Sequence, residues 1–148
     1  MIFITDELGN IEKNILELVE NVGFKDCKTI EAIDLFCGMS EINDVLKEKD
    51  LYYAFIETPQ YWSIRADGVN GAIYDNKTKM ANIYFKNPIE KRMVSRVEWI
   101  DRNNTVYRID YYNKYGYKYC SENVNGGNAT VREFYDRNGD INVIEQTG

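Results

Sequence analysis

The sequence predicts an α+β chain. A short α/β segment, partly Rossmann-like, spans residues 1–50, and an extended antiparallel β-meander spans 51–148. Three observations predict it. The apolar period changes from helical to alternating near Leu51. Turn chemistry then returns about every twelve residues, at 101–104, 113–116, 125–128 and 136–139. Tyrosine, which favours strands, dominates the aromatic residues, with 12 Tyr against 6 Phe and 2 Trp.

The N-terminal elements follow from local pattern. "IFIT" (2–5) is a short apolar run and reads as a buried strand. Ile11, Ile15, Leu18, Val19 and Val22 form one apolar stripe at helical spacing. Asn10 suits the N-cap of that helix, Glu12 its first turn and Gly23 its stop. "KTIEAIDLF" (28–36) fits either a second strand or a short helix. Ser40 caps a second helical pattern through Ile42, Val45 and Leu46, ended by "KEKD". The turn "TDELGN" lacks the G-x-G-x-x-G pattern of a dinucleotide site.

From Leu51 onward "YYAFIE" (52–57), "YWSIRA" (61–66), "GAIY" (71–74) and "MANIYF" (80–85) read as strands. Pro59 and Pro88 fall between these runs, where a missing N–H costs little. Residues 93–99 and 105–112 continue the series. Alternation puts Met93, Val97 and Trp99 on one face of their strand, with Arg92, Arg96 and Glu98 opposite. In the next strand it groups Tyr107, Ile109 and Tyr111 against Val106, Arg108, Asp110 and Tyr112. One face is therefore expected to be apolar and aromatic, the other charged, with tyrosine on both. Asn and Gly at the joints supply the positive φ that tight hairpins need.

Composition narrows the function. The net charge is −6 and basic tracts are missing, so the chain carries no electrostatic footprint for nucleic acid or anionic lipid. No apolar run approaches the roughly 18 residues of a spanning helix, and "MIFIT" lacks the basic flank of a signal peptide. Three widely spaced cysteines, Cys27, Cys37 and Cys120, fit buried thiols in a reducing compartment. The expected location is the cytoplasm, where the "NAT" sequon (128–130) is not used. With no histidine, Ser-His-Asp and Cys-His catalysis and histidine metal ligation are excluded. "DRNGD" (136–140) has the look of a calcium loop, but position 147 is Thr where the bidentate Glu would stand, so a hairpin turn is expected. No metal or cofactor is expected.

Three stretches carry a family resemblance: "ETPQYWSIRADGVNGAIYDNKTKMANIYF" (57–85), "RMVSRVEWIDRNNTVYRIDYYNKYGYKYC" (92–120) and "VREFYDRNGDINVIEQTG" (131–148). They resemble the N-terminal part of the stabilising, chaperone-like subunit of the accessory Sec O-GlcNAc glycosyltransferase complex of Gram-positive bacteria. That family looks like GT-B glycosyltransferases with an inserted extended β-sheet domain. The resemblance implies a non-catalytic module that stabilises a catalytic glycosyltransferase subunit. It also implies binding of the Ser-rich repeat polypeptide of an exported adhesin, with placement at the inner face of the membrane through the complex. Self-association through sheet edges is a further expectation. Trp99, Tyr107, Tyr111, Tyr117 and Tyr119 are the expected partner or acceptor contacts, because tyrosine and tryptophan grip peptides with little entropy loss. Two alternatives remain at this stage: the sheet insert of a catalytic GT-B enzyme, and a structural hairpin array.

Overall fold

The computed structural model describes residues 2–5, 28–31 and 49–146. The chain divides into two compact units, 1–45 and 46–148. In the first, β1 (Ile2–Thr5) pairs in parallel with β2 (Lys28–Glu31), Phe3 opposite Thr29. "IFIT" is thus a strand, and the ambiguous 28–36 run begins as one. The helices expected over 11–22 and 40–46 lie outside the described residues, as do Cys27 and Cys37.

The second unit is an eight-stranded antiparallel sheet in strict sequence order. Its strands are β3 (Ser63–Asp67), β4 (Asn70–Asp75), β5 (Thr78–Phe85), β6 (Val94–Ile100), β7 (Val106–Tyr112), β8 (Lys118–Asn125), β9 (Asn128–Tyr135) and β10 (Ile141–Gln146). The observed class among the described residues is therefore a β-meander.

The hairpins explain the order. Asp101, Asn113 and Asp136 open three loops of one design. Each side-chain Oδ1 accepts the backbone N–H groups two and four residues on, at 2.8–3.3 Å. Each backbone carbonyl accepts the N–H three residues on, at 3.0–3.2 Å. The residue at that third step has positive φ: Asn104 at 62°, Gly116 at 84° and Gly139 at 85°. An Asx side chain imitating a backbone turn thus sets three of the meander's reversals.

One expected strand is not one. "YYAFIE" forms a strap with a 3₁₀ turn at Tyr53–Phe55. The Lys49 N–H donates to the Lys114 carbonyl (2.8 Å), the Val94 N–H to the Leu51 carbonyl (2.8 Å) and the Tyr53 N–H to the Arg92 carbonyl (3.2 Å). The physical reason is burial. The apolar face of β4–β6 needs a cover, and the strap lays Ile56 onto it with only 4% of that residue exposed. "YWSIRA" likewise begins its strand only at Ser63, after a turn in which the Trp62 N–H reaches the Pro59 carbonyl.

The core comprises Ile56, Ile73, Ala81, Ile83, Val94, Val97 and Trp99, with Leu51, Tyr53, Trp62, Ile64, Phe85 and Tyr112 packed around it. Register shows how one face continues. Ile73 faces Ala81, Ala81 faces Trp99, and Ile83 faces Val97. Then Val97 faces Asp110, Trp99 faces Arg108, and Asp110 faces Ser121. This corrects the expected division of faces. The Arg108/Asp110 side of β7 extends the apolar face, and the Tyr107/Ile109/Tyr111 side joins Arg96 and Glu98. Period-2 alternation sorts residues within a strand, but only the hairpin register says which side joins which.

Candidate binding surfaces of the sheet

Asp110 terminates the core. It is 2% exposed. Its Oδ2 accepts the Trp99 indole N–H at 2.7 Å and an Arg108 Nη2–H at 2.8 Å, and its Oδ1 accepts the Ser121 hydroxyl at 2.5 Å. Arg108 also lies over the Trp99 ring, 5.3 Å from its centre. A buried carboxylate is tolerated when charge and hydrogen bonds surround it, and this one ties β6, β7 and β8 together. Beside it, burial pushes the Tyr112 hydroxyl far above the usual phenol range, with the Asp110 charge adding to the effect.

The opposite face carries a band of stacked cations and rings. Arg65 on β3 lies 4.5 Å from the centre of the Tyr74 ring on β4, and Arg96 on β6 lies 3.9 Å from that of Tyr84 on β5. Arg96 Nε also pairs with Glu98 at 2.9 Å. Burial, then the hydrogen bond and charge of Glu98, raise the Tyr84 pKa. Further along, Tyr111 and Tyr119 sit with ring centres 6.4 Å apart, and Arg132 bridges Glu122 (2.6 Å) and Glu145 (3.4 Å). Between the two Arg–Tyr stacks lies an open depression of about 770 Å³, with Asn70, Ala72, Lys79 and Asn82 among its lining residues. Each guanidinium–ring stack at such a solvent-facing position contributes about 0.5–1 kcal/mol and sets an aromatic ring beside a charge.

The five expected contact residues divide. Trp99 is buried, so its indole serves the fold. Tyr107 is 48% exposed. Tyr111, Tyr117 and Tyr119 are half-buried. Tyr111 and Tyr119 meet on the face of the Arg–Tyr band, while Tyr117 closes the 113–117 loop at an end of the sheet. Sequence reasoning missed Asp110 and the Arg–Tyr stacks. A Trp and an Asp flank the 101–105 turn at unequal distances, so only the bulged β6–β7 register brings them together.

The two edges of the sheet differ. β3 carries Arg65 and Asp67, two charges that discourage pairing. β10 reads "INVIEQ", with neither Lys nor Pro, and leaves Ile141 51% and Ile144 58% exposed. Among the described residues no group of three or more Asp, Glu, Cys or His side chains gathers that could hold a metal ion.

An eight-stranded antiparallel meander with Arg–Tyr stacks on one face defines the class of the fold, a β-sheet module. Residues 62–147 match the model of the GtfB middle domain, and the chain belongs to that family. It is 26% identical over 129 residues to a UDP-N-acetylglucosamine–peptide N-acetylglucosaminyltransferase stabilizing protein GtfB of Streptococcus agalactiae, covering 86% of this chain and 28% of that protein. A protein of the same name from Limosilactobacillus reuteri is 33% identical over 92 residues, 62% of this chain and 21% of that one. The chain thus spans about a quarter of the length of these relatives. In fold it matches a chain of the GtfA/B complex bound to UDP and GlcNAc with TM-score 0.80 at 19% identity, covering 99% of this chain and 35% of the other. A chain of the accessory secretory protein 1, 2 and 3 complex of Streptococcus pneumoniae matches at 0.64 and 14% identity, covering 89% of this chain and 25% of that one.

Proposed function

We propose that this chain is the sheet module of a GtfB-type stabilising subunit, and that it acts by binding rather than by catalysis. Its partner is a catalytic glycosyltransferase subunit of the kind named in the relatives. Its second ligand is the Ser-rich polypeptide that such an enzyme modifies. The work takes place in the cytoplasm, with the inner face of the membrane reached through the complex. The observation that carries this reading is the sheet itself. It keeps one face lined by Arg–Tyr stacks and one edge, β10, that carries neither Lys nor Pro and exposes Ile141 and Ile144.

Tyr107, Tyr111, Tyr117 and Tyr119 stand as the contact tyrosines, since each retains some accessible surface. Trp99 acts indirectly, by fixing β6 against β7. The β10 edge offers main-chain groups to a further strand, either from the partner or from a second copy of the chain. The α/β character of residues 1–50, supported by the parallel β1–β2 pair, fits a GT-B-like lobe that continues in the longer relatives.

The test is co-purification. The purified chain is mixed with a catalytic glycosyltransferase subunit and, separately, with a Ser-rich repeat polypeptide, and complexes are measured by light scattering after size exclusion. Binding to either, with no UDP released from UDP-N-acetylglucosamine by the chain alone, is expected. UDP release by the isolated chain, or failure to bind both, rejects the reading.

A further inference from the structure

The sequence contains three Asn–Gly pairs, Asn70–Gly71, Asn125–Gly126 and Asn138–Gly139. Such pairs have an intrinsic chemistry: the backbone nitrogen of the glycine can attack the asparagine side-chain carbonyl. The fold treats the three differently. Gly71 is buried in β4, held in register by Ala66 on one side and Ile83 on the other. The Gly139 N–H donates to the Asp136 carbonyl at 3.0 Å, and the Asp136 carboxylate takes the N–H groups of Asn138 (2.8 Å) and Asp140 (3.1 Å). Asn125 and Gly126, by contrast, are exposed at a two-residue reversal closed by the Asn125–Asn128 pair. Among the described residues the Gly126 N–H makes no hydrogen bond. Gly126 and Gly127, at φ 58° and 82°, have nothing within 4 Å of where a Cβ would stand. Apart from the Asn125–Asn128 pair that closes the joint, no hydrogen bond among the described residues holds the Gly126 nitrogen away from its neighbour's side chain.

We propose that Asn125 is a built-in deamidation site of this chain. The Gly126 nitrogen, losing its proton to solvent base, forms a bond to Asn125 Cγ. The Cγ–Nδ2 bond breaks, and the side-chain nitrogen leaves as ammonia. The five-membered succinimide then takes up one water. Opening at one carbonyl gives aspartate, and opening at the other gives isoaspartate. The net change is amide plus water to carboxylic acid plus ammonia, with no change of oxidation state. Either product adds a negative charge to a chain already at −6. Isoaspartate also inserts a methylene into the backbone of the tightest turn of the β8–β9 hairpin, which carries the Arg132–Glu122 ion pair. The inference is independent of the proposed binding function.

The test is timed incubation of the 148-residue chain at neutral and mildly alkaline pH. Peptide mapping by mass spectrometry with isoaspartate-resolving fragmentation then follows each site. Asn125 is expected to convert at least about tenfold faster than Asn138, since freeing Gly139 breaks a loop held by three hydrogen bonds. Its rate should rise with pH. Asp136→Ala, checked for folding by circular dichroism, should accelerate Asn138 and leave Asn125 unchanged. In urea all three sites should converge. Conversion of Asn138 or Asn70 as fast as Asn125 in the folded chain overturns the proposal, as does a folded Asp136→Ala chain in which Asn138 does not accelerate.

Discussion

Replacing Asp110 by alanine should destabilise the sheet more than any comparable change on its surface. The substitution leaves the Trp99 indole N–H and the Ser121 hydroxyl buried without their acceptor. A buried donor deprived of its partner costs about 1–3 kcal/mol. Arg108 adds little, because its side chain is 38% exposed and water can replace the carboxylate. The expected loss is therefore about 2–6 kcal/mol, a large share of the 5–15 kcal/mol that holds a typical domain together. Asp110→Asn keeps one acceptor and should lose roughly half as much. Urea unfolding followed in parallel by tryptophan fluorescence and far-ultraviolet circular dichroism measures both. Trp99→Phe, which removes one of the stranded donors, should partly rescue Asp110→Ala, so the two losses should not add. An Asp110→Ala loss below about 1 kcal/mol, or strict additivity with Trp99→Phe, would refute the claim that this carboxylate organises three strands.

Gly116→Ala should loosen the strap. Gly116 has φ +84°, and a Cβ there would run into the Lys49 carbonyl, so a loss of at least about 1–2 kcal/mol and faster proteolysis near residue 50 are expected. Alkali should unfold the chain cooperatively. Burial raises the pKa of Tyr112, and less strongly those of Tyr84, Tyr111 and Tyr135, above their unfolded values. Their protonated forms then favour the fold below the unfolded pKa of about 10, and that stability declines as pH rises beyond it. Phenolate absorbance should track the transition, and Tyr112→Phe should flatten its pH dependence. Ile144→Lys, on the exposed β10 edge, should leave the melting temperature nearly unchanged while weakening partner binding or self-association by about tenfold or more; unchanged association in light scattering would place the contact elsewhere.

Much of this architecture lies in local chemistry, which is why sequence alone determined it. Asp101, Asn113 and Asp136 build their turns from their own side chains and the next four residues, so the reversals and the number of strands between them could be read directly. Period-2 alternation within each strand was equally legible. What the tertiary structure decided was everything that depends on which strands meet across a turn. Asp110 reads as a solvent-facing charge until the β6–β7 register puts it beside Val97 and beneath the Trp99 indole. "YYAFIE" has the composition of a strand, yet becomes a strap because Ile56 is buried, and Tyr53 partly so, by packing on the apolar face of β4–β6. The Arg65–Tyr74 and Arg96–Tyr84 stacks join residues of adjacent strands by the same logic. Hydrogen bonds within a turn close over a few residues, whereas burial is settled only when distant segments compete for the same face.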